Sequence, residues 1–108
     1  MKERNPTKSE MGIICYLVAQ SSYSMDNWDM DLNVANMDDG MGSLLLIPKG
    51  QNNKKRLFKK QISEVVFRDI DNIVVIVSLN TDQDGFLFEL DVWKVNFEPV
   101  IDLDSFTK

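Results

Sequence analysis

A chain of 108 residues with 44% hydrophobic and 27% charged content falls in the ordinary globular range and is long enough to bury one core without staples. One cysteine excludes an internal disulfide framework and any paired-cysteine zinc spacing. The absence of histidine removes the usual general base, the usual activator of a Ser or Cys nucleophile and the commonest metal ligand, and a net charge of −5 disfavours nucleic acid.

The charge is uneven. Residues 49–60 hold six of the 12 basic residues (Lys49, Lys54, Lys55, Arg56, Lys59, Lys60) and no acid, leaving six basic against 17 acidic residues elsewhere, a balance of −11. An acidic body with one basic loop results. Lys2 and Arg4 before the apolar stretch 11–19 mimic a leader faintly, but Glu3, Pro6 and Glu10 fit such a segment badly. Nothing approaches the ~20 apolar residues of a membrane span. A cytoplasmic chain without a membrane among its partners is the expectation.

In chain order, residues 1–6 read as a disordered opening to a single domain over 1–108. Thr7 and Glu10 form a capping-box pattern for a helix over 8–20, in which Met11, Ile14, Cys15 and Val18, widened by Leu17, make the buried stripe. Cys15 reads as a small core residue. Residues 21–31, with Tyr23 and Trp28, form a loop, and Leu32, Val34 and Met37 mark a short strand. Asp38-Asp39-Gly40-Met41-Gly42 is a turn, because its glycines tolerate positive φ. Residues 43–47 are an apolar strand stopped by Pro48, and 48–56 are a polar loop.

Strands are then expected over 62–69, 73–79 and 86–94, with turns at Asp71-Asn72 and at 81–85. The Val/Ile-rich 73–79 run asks for cover on both faces. Along 86–94, Phe86, Phe88, Leu90 and Val92 alternate with Leu87, Glu89, Asp91 and Trp93. The tail from Asn96 continues along a sheet edge or covers the core. Short connections between strands give an α+β fold: one N-terminal helix packed on an antiparallel meander of about five strands.

The stretches Asp38-Asp39-Gly40-Met41-Gly42-Ser43-Leu44 and Phe88-Glu89-Leu90-Asp91-Val92-Trp93-Lys94 resemble a family of small uncharacterised bacterial proteins, a domain of unknown function whose members share such a glycine turn and such a strand. The chain departs mildly where Asp71-Asn72 replaces an aspartate-glycine turn. The resemblance implies no activity. More loosely, the chain is similar to small acidic immunity proteins encoded beside toxins.

Two groups of side chains are candidate binding residues. Glu89 and Asp91, ~7 Å apart on one strand face, could join Asp38 and Asp39 around a divalent cation or small ligand, with hydrolysis as one outcome. Trp28, Tyr23 and Trp93 could form an aromatic contact site. Asp82 and Asp84, in Asn80-Thr81-Asp82-Gln83-Asp84-Gly85, match calcium-loop spacing in part, although a hairpin needs the same residues. Ser43 has no histidine to activate it, so no catalytic residue is assigned and no cofactor is expected. The reading favours a non-enzymatic module that binds another protein, with a basic partner as one case, such as an immunity-type inhibitor of a cationic toxin. A divalent-cation or small-ligand domain is the alternative, and a homo-oligomer through a sheet edge is a further possibility.

Overall fold

The structure is a computed structural model that describes residues 2–108. Helix α1 (Lys8–Gln20) lies on a six-stranded antiparallel sheet of β1 (Glu3–Arg4), β2 (Asn33–Asn36), β3 (Leu44–Ile47), β4 (Phe58–Arg68), β5 (Val74–Asp82) and β6 (Leu87–Lys94). A 3₁₀ segment, Leu103–Thr107, closes the described chain. No helix is long and apolar enough to cross a membrane.

The capping box forms as its residues dictate. The Thr7 hydroxyl accepts from the Glu10 amide at 3.1 Å and the Glu10 carboxylate accepts from the Thr7 amide at 2.8 Å. Arg4 grips the same carboxylate with both terminal nitrogens, at 2.8 and 3.0 Å, and reaches Asn36 on β2. That grip explains a correction: the opening expected to be disordered places Glu3 and Arg4 in a strand paired with Ala35 and Val34.

The helix stripe is also displaced. Ile13, Ile14 and Leu17 are fully buried, Met11 and Val18 pack at the margin, and Cys15 is exposed. Cys15 is therefore not a core residue; partial desolvation and the nearby Asp29 push its thiol up. The stripe meets Val34, Leu44, Leu46, Val75, Val77, Leu79, Leu90 and Val92, all buried on one sheet face. Each such side chain contributes roughly 1.5–3 kcal/mol.

Strand order is β1-β2-β3-β6-β5-β4, which corrects the simple meander. β3 pairs with β6, far along the chain, and β4 lies at the opposite edge. The connection 48–57 must therefore pass the ends of β6 and β5. Arg56 fixes this strap. Its guanidinium donates to Asp82 on β5 at 2.8 Å, to the Leu46 carbonyl on β3 and to the Leu87 carbonyl on β6, and lies over the Phe88 ring. Gln51 on the strap is buried, as are Ala35 and Ile47 on the outer sheet face beside it.

β6 carries a bulge. Asn80 pairs with Glu89 but Thr81 pairs with Leu87, so Phe88 is the extra residue. Leu87 thereby joins Leu90 and Val92 in the core, against the strict alternation expected. The 3₁₀ segment packs on α1 and β4, with Phe106 meeting Tyr16 and Phe67 at centroid separations of 5.2 and 6.4 Å. The tail thus covers the face that the helix already covers, leaving the outer face around Val66, Ile76 and Trp93 without cover from it, although Ser78 and Asn80 farther along β5 are buried.

Candidate protein-docking face

Register fixes what the bare face presents. Val66, Ile76 and Trp93 lie opposite one another across β4, β5 and β6, and alternation turns them away from the buried Phe67, Val75 and Lys94. Val74 follows on the same side, next to Val95, whose amide donates to the Val74 carbonyl at 3.0 Å. Val66 is 58% exposed, Trp93 41%, Val95 45% and Phe97 65%. Phe97 sits at φ 65°, uncommon for a bulky side chain, with its amide donating to the Lys94 carbonyl at 2.8 Å. This strained turn brings its ring edge-on to Trp93, centroids 5.0 Å apart.

The adjoining cross-strand rows are polar: Glu64, Ser78 and Asp91, then Gln61, Asn80 and Glu89. Among the described residues, none of the three carboxylates is in an ion pair. Glu89 accepts from the Asn80 side-chain amide at 2.8 Å. Asp91 is exposed, with the Ser43 hydroxyl 3.5 Å away. An apolar patch results, with unpaired carboxylates along one border and Arg68, opposite Val74, at the other.

The remaining sequence candidates separate. Asp39 folds back on its own turn and accepts from the amides of Met41, Gly42 and Ser43. Desolvation works against its ionised form, but those hydrogen bonds outweigh it and hold the carboxyl below its ordinary value. Asp38 is exposed. Asp38, Asp39, Glu89 and Asp91 thus do not assemble: among the described residues no group of three or more acidic or cysteine side chains is placed to hold a metal ion. Asp82 is fully buried, paired with Arg56 and accepting from the amides of Asp84 and Phe86, so it builds the hairpin, while Asp84 faces solvent.

The aromatic trio separates too. Tyr23 and Trp28 pack against the helix-side core, Tyr23 donating to the Gly85 carbonyl at 2.8 Å. Trp93 stands on the other face with Phe97. Cross-strand register across the bulged sheet determines these placements, and residue spacing along one strand carries no trace of it.

Sequence reasoning missed a fully buried lysine. Lys94 is fully buried and donates to Asp69 at 2.8 Å and Asp71 at 2.7 Å. Asp69, also buried, accepts in addition from the amides of Ile70, Ile101 and Asp102. Burial opposes its charge, yet Lys94 and the three amides prevail and bring its carboxyl down to about 2. The same ion pairs overcome desolvation of Lys94 and raise its ammonium above its ordinary value. One signal was available: on β6, Lys94 has the parity of Leu90 and Val92 and so faces inward.

Comparison with curated proteins gives no match, and comparison with solved structures gives none. A family model described as a domain of unknown function, DUF6984, matches residues 3–104. The match takes in β1, the whole helix and sheet, and the tail residues that clamp Asp69, so the chain belongs to the DUF6984 family.

Proposed function

We propose that this domain is a non-enzymatic docking module that holds a basic protein against the outer face of β4–β5–β6. The observation that carries the reading is the contiguous row of exposed Val66, half-buried Ile76 and exposed Trp93, extended by Val95 and by Phe97, beside unpaired Glu64 and Asp91. Exposed apolar patches rimmed by polar groups mark interaction sites, and Trp is over-represented among interface anchors. The partner's matching surface is an apolar projection set among Lys or Arg side chains. An immunity-type inhibitor of a cationic toxin is one concrete form of this role.

The test compares the wild-type chain with a Val66→Ser, Trp93→Ser, Phe97→Ser variant as baits in extracts of the source organism. A basic protein should be retained by the wild type at low salt, released by 0.5 M salt, and retained at least tenfold less by the variant. If no protein distinguishes the two baits, the reading fails. A concentration-dependent dimer abolished by the same substitutions would make a second copy the occupant and overturn it equally.

A further inference from the structure

The strap that carries the basic loop exposes apolar side chains where the fold gains nothing from them. Leu57 is 61% and Phe58 57% exposed, and they sit between Lys54-Lys55 and Lys59-Lys60 in the run Lys54-Lys55-Arg56-Leu57-Phe58-Lys59-Lys60. Their exposure is built in. The Leu57 amide donates to the Gln83 side chain at 2.8 Å, and Gln83 donates back to the Lys55 carbonyl at 3.1 Å. Between these two contacts Arg56 turns inward, its charge matched by Asp82. The backbone of the segment is thereby held at both the β5–β6 hairpin and the sheet interior.

Its four lysines form no ion pair with any described residue, whereas Lys49 lies 3.8 Å from Asp31. Of the two carboxylates in the adjoining turn 81–85, Asp82 is consumed by Arg56 and Asp84 faces solvent. Lys54, Lys55 and Lys59 carry free ammonium groups on both sides of two adjacent apolar side chains, while Lys60, opposite Thr81 in the register, lies on the helix side with Ile62; such a run needs an anionic surface that also admits hydrocarbon. A single-stranded nucleic acid fits poorly, because Phe58 is the only aromatic between residues 49 and 60 and Leu57 offers nothing to stack on. An acidic peptide accounts for the lysines alone. A bilayer interface accounts for both, with apolar tips at the acyl boundary and long lysine stems reaching phosphates.

We infer that residues 54–60 dock this domain, reversibly and without insertion of a helix, on membranes rich in anionic lipid. The acidic remainder of the chain keeps the rest of the molecule off such a surface and so sets one orientation. Surface contact of this kind needs none of the length that a membrane span demands.

The test is co-sedimentation of the full chain with vesicles of phosphatidylcholine alone and with about a third phosphatidylglycerol, at low salt. Binding should appear only with the anionic vesicles. It should fall at least tenfold in a Leu57→Ser, Phe58→Ser variant and equally in a Lys54→Glu, Lys59→Glu variant, while Trp93→Ser binds as wild type. Melting curves unchanged from wild type keep the comparison clear of unfolding. Equal binding to neutral vesicles, no binding at low salt, or capture by poly-uridylate or polyglutamate in place of vesicles would each overturn the inference. The docking-face variant is independent of this result, so the two proposals can fail separately.

Discussion

Cys15 and Ile13 show how a single residue fixes the phase of a helix. Both are apolar by composition, two positions apart, and only the rotation of α1 against β5 decides which is covered. Ile13, Ile14 and Leu17 are at zero exposure and Cys15 is not. Replacement of Cys15 by Ser should therefore shift stability by less than about 0.5 kcal/mol. Ile14→Ala should cost about 2–5 kcal/mol. Urea titration of both variants checks the pair, and a large loss in Cys15→Ser would show that the helix is rotated from this position. Sequence reading found the stripe but placed its centre one residue too far along, because Met11, Ile14 and Val18 recur correctly on either phasing.

Among the elements, apolar density made β3, β5 and β6 legible, whereas β1 and the first residues of β4 were not. Phe58, Lys59, Lys60 and Gln61 are all exposed and the β4–β5 register shifts twice there, so no hydrophobic alternation announces a strand. Strand order was equally hidden, since a local meander and a β3–β6 pairing use the same segments. The strap makes the long connection possible, and Arg56 is its anchor. Arg56→Ala leaves Asp82 charged without its partner and removes the donor from the Leu46 and Leu87 carbonyls. A loss of about 3 kcal/mol or more is expected, with faster amide exchange at residues 51–57. Exchange unchanged from wild type would mean that other strap contacts hold the loop.

At the scale of the whole molecule, the two exposed apolar surfaces stand near opposite ends of β4. Phe58 and Val66 are separated by ~26 Å at the usual strand rise, well beyond the ~8 Å Debye length of physiological salt. The two proposed contacts are therefore far enough apart not to compete for the same side chains. Neither surface was legible as such: which sheet face is bare depends on the tail packing on the helix side. The tail is held by Asp69, and this gives the fold an acid limit. The Asp69 carboxyl titrates at about 2 in the folded chain against ~3.9 unfolded. Its contribution is present above pH ~4 and is lost as pH falls toward 2. Melting temperature measured across that window should drop steeply in the wild type. In Asp69→Asn it should start lower at neutral pH and change less on acidification; an identical acid slope would place the sensitivity elsewhere.

The same clamp imposes an order on biosynthesis. Asp69 is made well before its partners: Lys94 follows 25 residues later, and Ile101 and Asp102, whose amides complete the carboxylate's shell, follow just before the 3₁₀ segment. A nascent chain halted at Val100 therefore lacks two of Asp69's donors and the Phe106 ring that meets Phe67, so the clamp closes only after residues 101–106 have emerged.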